Sequence, residues 1–227
     1  MPRIVLANWK ASLAPERAVA WCDTFIAAYT PRTGIEVVLA VPTLVMERVH
    51  QRVGALDGVS LAAQGISPFP QGSYTGALPA AWLRGTTKYA LIGHRERRQY
   101  FHETVQDVAR QGFEALAEGL QPIVCVGIDL LTRQAAAFAN EELEHLLWAW
   151  TPETPVRLEM ARSLDDIAEQ AAQVARKTEG RGVLYGGGVT PDNSGAVWNL
   201  KNIGGIMLGQ GCLDAGLFAA LVNRLSF

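Results

Sequence analysis

Tyr89-Ala90-Leu91-Ile92-Gly93-His94-Arg95-Glu96-Arg97-Arg98 is the stretch around which the rest of the chain is organised. Four apolar residues and a glycine run directly into charged or titratable side chains. A short apolar run bounded by glycine has the pattern of a strand buried on both faces. The charge that follows must then stand at the strand's C-terminal end. A histidine there, with a carboxylate two residues on, fits an acid/base site. A solvated charged turn after a structural strand is the other reading of the same spacing.

The apolar part of the pattern recurs outward in both directions: Ile4–Ala7, Ile35–Val41, Val59–Gln64, Pro122–Val126, Leu146–Trp150, Gly182–Tyr185 and Gly205–Leu208. Between these runs the period changes from two to three or four. A helix is expected from Pro15 with Ala18, Trp21, Cys22, Phe25, Ile26 and Tyr29 on one face, and another from Thr43 to Gly54. A short one is expected over Pro79–Arg84, followed by Thr104–Glu118 with Val105, Val108, Ala109, Gly112, Phe113 and Leu116 in phase. Further helices are expected over Leu131–His145, from a Ser163 N-cap with Asp166 three residues on, over Ser194–Leu200, and from Asp214 through Leu217, Phe218, Leu221 and Val222. A long Gly/Pro-rich loop, Gly65–Gly76, follows the third strand; loops of that length are commonly functional.

Eight apolar strands alternating with eight helical segments, at about 28 residues per unit, describe a parallel sheet covered on both sides. The architecture expected is α/β, a single (β/α)8 TIM-barrel domain over residues 1–227. Composition narrows the function classes. Twenty Lys and Arg against 22 Asp and Glu give a net charge of −2, with no basic block suited to nucleic acid. Three cysteines, with no Cys-x-x-Cys spacing, argue against a disulfide framework and a zinc site, and fit a reducing cytoplasm. No apolar run approaches the ~18 residues of a membrane helix.

In such a barrel the chemistry sits on the loops after the strands. Those positions hold Asn8 and Lys10, Gln64, His94 and Glu96, Thr151 and Glu153, Gly186–Gly188 and Gly209–Gly211. Lysine offers a fixed positive charge to an anionic substrate, asparagine a donor to a carbonyl, and histidine an electrophile or proton shuttle. The glycine runs let backbone N–H groups approach a phosphate. Each residue has an ordinary structural explanation when taken alone. Their convergence on one face favours a site.

Ala7-Asn8-Trp9-Lys10, Gln64-Gly65-Ile66-Ser67, Gln71–Gly76, Tyr89–Arg98, Pro122–Gly127, Leu184–Gly187 and Leu208-Gly209 resemble, in order and from end to end, the motifs of the triosephosphate isomerase family. The resemblance implies interconversion of small phosphorylated sugars of the glyceraldehyde 3-phosphate/dihydroxyacetone phosphate class through an enediolate, a step of glycolysis and gluconeogenesis. It implies Lys10 as the electrostatic residue, Asn8 as a polarising donor, His94 as a neutral electrophile and Glu96 as the partner of Lys10. It also implies Gly187, Gly188, Gly209 and Gln210 at the substrate phosphate, and Thr75 as a contact into a partner's site in a homodimer. Neither a metal nor an organic cofactor is expected, since proton transfer between adjacent carbons needs none.

The chain departs from the family pattern at the base. The family's glutamate after the sixth strand falls on Thr151, and the lid motif that follows is absent. Ile128 stands where the family has a glutamate, Arg95 where it has a serine, Gly188 for a serine and Gln210 for a glycine. Glu153 is the candidate replacement base. The alternative is a catalytically impaired member that binds a phospho-metabolite or a protein partner.

Overall fold

The strands are apolar on both faces because each is covered twice, by the barrel interior and by helices. The computed structural model describes residues 2–152, 163–178 and 182–226. Its order is β1 (Arg3–Asn8), α1 (Pro15–Ala28), β2 (Ile35–Val41), α2 (Thr43–Val53), β3 (Val59–Ala63), β4 (Tyr89–Ile92), α3 (Arg95–Tyr100), α4 (Val105–Ala117), β5 (Gln121–Val126), α5 (Ile128–Ala135), α6 (Asn140–Leu143), β6 (Leu147–Trp150), α7 (Leu164–Lys177), β7 (Val183–Tyr185), α8 (Ser194–Trp198), β8 (Ile203–Leu208) and α9 (Ala215–Arg224). Single 3-10 turns cover Ala80–Leu83 and Gln210–Cys212. Every strand pairs in parallel with the next, and β1 pairs with β8, so the sheet closes into an eight-stranded barrel.

Alternation along each strand divides the core. Ile4, Leu6, Val38, Ala62, Leu91, Ile123, Cys125, Ala149 and Met207 fill the barrel. The intervening side chains join the helices in a larger outer cluster. Each fully buried Leu or Ile contributes about 1.5–3 kcal/mol relative to exposure. Trp21 stacks on Phe25, and Phe218 packs tilted against both where α1 meets α9.

Helix starts follow the side chains that satisfy free N–H groups. Thr104 Oγ1 accepts from the Asp107 N–H at 3.1 Å, and Asp107 Oδ2 accepts from the Thr104 N–H at 2.9 Å. The Thr104 N–H and hydroxyl, both donating to Asp107 Oδ2, hold its carboxyl below the ordinary pKa. Ser163 caps α7 as expected, accepting from the Asp166 N–H.

Three expectations are corrected. The helix expected over Leu131–His145 breaks after α5. Phe138 turns inward, its ring 6.0 Å from Trp148, into space that Gly112 leaves open, and Glu142 then caps the Ala139 N–H at 2.7 Å. Phe113 is not on the buried face of α4 but 58% exposed, and Gln111 is buried instead, donating to the Ile66 carbonyl and to Glu103. Leu217 is likewise exposed on α9. The charged turn after β4 is helical, as α3.

Candidate active site

The C-terminal mouth is built first from backbone constraints. After β1 the chain turns sharply: the Lys10 N–H donates to Asn8 Oδ1 at 3.1 Å, and Lys10 takes a left-handed φ of 50°. Such a conformation costs a non-glycine residue about 1 kcal/mol or more and persists where neighbours enforce it. The enforcing group is Gln64. Its Nε2 donates to Ala40 O at 2.9 Å, Lys10 O at 3.1 Å and Asn8 Oδ1 at 3.4 Å. One amide thus ties the ends of β1, β2 and β3 together, with Asn8 buried among them.

The second constraint is Gly93, at φ 67°. A Cβ here would stand 2.6 Å from Arg98 Nη2 and 3.1 Å from Cys125 O. Arg98 reaches back to donate to Gly93 O at 2.8 Å and to the buried Gln134 Oε1 at 2.8 Å. The exit from β4 is therefore fastened to β5 and α5, and the residue it presents is His94.

His94 is the N-cap of α3, and its Nδ1 accepts from the Glu96 N–H at 3.2 Å. That bond needs a free lone pair on Nδ1, so the neutral ring carries its proton on Nε2. Burial, with the charges of Lys10 and Arg95, lowers its pKa from 6.5 to about 4 against the opposing pull of Glu96. His94 is accordingly an imidazole at neutral pH.

Glu96 joins the two halves. Its Oε1 accepts from Lys10 Nζ at 2.6 Å, and its Oε2 lies 3.6 Å from His94 Nδ1. Burial works against its charge, but the hydrogen bond and charge of Lys10 outweigh it, and its pKa lies below the ordinary value. The Lys10–Glu96 pair is about a third exposed, so its merit is position rather than stability. The far end of Lys10 crosses the mouth: its Cε is 3.4 Å and its Nζ 3.8 Å from where a Cβ on Gly209 would be. The ends of β1, β4 and β8 thus meet around one ammonium.

The remaining sequence candidates fall as follows. Gly187 is buried, its carbonyl accepting from the Tyr185 hydroxyl at 2.9 Å. Gly188 and Gly209 are partly exposed, and Gln210 is exposed at the start of a 3-10 turn. Thr151 is buried, its N–H extending the β5–β6 ladder to Val126 O and its methyl close to Gly186. Glu153 lies outside the described residues. Thr75 is exposed in the loop after β3, beside the stacked rings of Phe69 and Tyr74. Among the described residues no group of three or more His, Cys, Asp or Glu side chains is placed to hold a metal. The Gln64 clamp and the Arg98–Gln134 latch were not foreseeable from spacing, because their partners lie on other strands and helices.

A closed parallel barrel with an Asn–Lys–His–Glu cluster at its C-terminal mouth defines a (β/α)8 protein with a candidate acid/base site. The family description "Triosephosphate isomerase" matches residues 3–225. The chain is 32% identical to triosephosphate isomerase of Xylella fastidiosa over 246 residues, covering 98% of each sequence. It is 29% identical to that of Deinococcus radiodurans over 245 residues, covering 99% of this chain and 100% of the relative. The crystal structure of triosephosphate isomerase from Bartonella henselae superposes with a TM-score of 0.84 at 23% identity, covering 99% and 100% of the two chains. The chain belongs to the triosephosphate isomerase family.

Proposed function

We propose that the protein is an aldose–ketose isomerase of a small phosphorylated sugar, of the glyceraldehyde 3-phosphate/dihydroxyacetone phosphate class, working by proton transfer through an enediolate. The observation that carries this is the neutral His94, with its Nε2–H free to donate, joined through Glu96 to the Lys10 ammonium. A neutral donor and a fixed cation on one mouth suit a substrate oxygen that gains negative charge in the transition state. Asn8 supplies a further polar group, and Gly187, Gly188, Gly209 and Gln210 are assigned to the phosphate. Neither a metal nor an organic cofactor is required.

Glu153 is assigned as the base. The Thr151 hydroxyl is essentially never ionised near neutral pH and cannot supply the ~10²–10⁴-fold of a positioned general base. Conversion of glyceraldehyde 3-phosphate, followed in a coupled assay, tests the assignment. Glu153→Gln should lower the rate by about 10²-fold or more, while Thr151→Val changes it little. An unchanged rate in Glu153→Gln would remove Glu153 from that role. Thr151 also favours a second reading, a phospho-metabolite-binding member without turnover. Turnover abolished by His94→Ala would exclude it.

The assembly we assign is a homodimer, with Thr75 at the contact. Large apolar side chains are exposed across the second to fourth units: Leu44 at 82%, Tyr100 at 66%, Phe101 at 64% and Trp82 at 63%. Where such side chains join into one patch, the patch marks an interaction surface. The three cysteines are free and buried, and no helix among the described residues is long and apolar enough to cross a membrane; both accord with a place in the cytoplasm.

A further inference from the structure

The opposite, N-terminal mouth of the barrel holds a cavity of about 450 Å³. In a (β/α)8 barrel the interior is normally filled by layers of side chains. Here the last layer is incomplete for a local reason. Val183 pairs with Ile203 but Leu184 pairs with Gly205, so Gly204 is an extra, bulged residue in β8. Gly182 and Gly204 approach so closely that a Cβ on either would stand 2.6–2.9 Å from the other's backbone. Gly182 and Gly204, neighbours on adjacent segments, therefore give no side chain to this end. The volume lies within the ~300–1,000 Å³ of ordinary small-molecule pockets.

We propose that this mouth is a second ligand site, separate from the catalytic one, for an organic monoanion with a flat apolar body. Ile4, Leu147, Leu184 and the Tyr89 ring supply apolar walls. Lys88 and Arg3 stand at the same cavity, but their charges are not equivalent. Lys88 donates to both oxygens of Glu36, at 2.8 and 2.9 Å, and Glu36 also accepts from Ser60 Oγ at 2.6 Å and the Tyr89 hydroxyl at 2.9 Å. That cluster is neutral overall, the Lys88 charge being matched by Glu36.

Arg3 has no carboxylate partner among the described residues. Its Nη2 donates to the carbonyls of Trp198 and Ile203, and its guanidinium lies over the Trp198 ring at 3.8 Å. Among the described residues, no further hydrogen-bond partner meets its remaining N–H groups. A half-buried guanidinium beside an apolar cavity is completed by a carboxylate, the planar group its geometry fits. The buried interior cluster from Leu6 to Met207 closes the barrel between this cavity and the catalytic mouth.

The probes are phenylacetate and its uncharged counterpart phenylacetamide, titrated into the full-length protein with backbone amide NMR. Phenylacetate should give saturable shifts at the Ile4, Gly182 and Gly204 amides and bind about tenfold more tightly than the amide, the effect of one charge-assisted contact. Arg3→Gln should abolish that preference. Lys10→Ala, at the catalytic mouth, should leave the shifts unchanged. Equal affinity for the two probes in the wild-type protein, no saturable shift at these amides, or loss of binding in Lys10→Ala would each overturn the proposal. The wild-type comparison decides the matter even if Arg3→Gln fails to fold.

Discussion

Lys10 Nζ and Glu96 Oε1 lie 2.6 Å apart although 86 residues separate them in the chain. The ammonium is held by a residue whose backbone N–H also fixes the tautomer of His94. Two catalytic candidates therefore share one support. Glu96→Gln should keep the backbone bond to Nδ1 but release Lys10, lowering kcat/KM by about 10–100-fold, the scale of a mispositioned catalytic group. Lys10→Met should cost about 10²–10³-fold or more, as for a lost electrostatic donor. Equal activity of Glu96→Gln and wild type would remove Glu96 from the positioning role.

The depressed pKa of His94 sets a pH dependence with a definite sign. Between its folded value of about 4 and the ordinary 6.5, the unfolded chain binds a proton that the folded chain does not. Stability should therefore fall as pH drops below about 6.5 and stop falling from this cause below about 4, with an upper bound of about 3 kcal/mol. Urea unfolding at pH 7, 6 and 5 should show the decline. His94→Asn, which keeps an oxygen to cap α3, should flatten it. A ring that titrates by NMR at 6.5 or above would contradict the assignment of a neutral imidazole.

Gly93→Ala should destabilise the fold by about 2–4 kcal/mol, combining left-handed strain with overpacking. The added methyl meets Arg98 and the Cys125 carbonyl, and both neighbours are fixed by other bonds. Because the displaced segment carries His94, activity should fall along with the thermal midpoint. A variant of unchanged midpoint would mean that the β4 exit is more adaptable than its contacts indicate.

The exposed rings of Trp82 and Phe101 should be covered in solution. Replacing both with Glu should shift sedimentation of the protein from dimer to monomer, since burying unpaired charge opposes association. A wild-type protein that sediments as a monomer at micromolar concentration would remove the homodimer from the proposal.

The strands were legible because a parallel barrel needs runs that are apolar on both faces, and such runs stand out against polar turns. The helices were legible where one face is apolar, and failed where composition misleads. Ala135, Ala136, Ala137 and Ala139 are strong helix formers, yet a single Phe138 seeking the space beside Gly112 ends α5. In α4 an amide with two buried partners, Gln111, took the inward place while Phe113 turned out. α3 has no apolar periodicity, and its start depends on the cap made by His94. At the site, Asn8, Lys10, His94 and Glu96 were legible as polar residues at the ends of apolar runs. The Gln64 clamp was not, since its acceptors lie 24 to 56 residues away.

The left-handed backbone at Lys10 carries an evolutionary consequence. Glycine or asparagine at this position would relax about 1 kcal/mol of torsional strain while discarding the ammonium. On the function proposed above, selection for robustness alone would remove the lysine, and selection for its charge retains it. Position 10 is one where a more durable protein and a working one call for different residues.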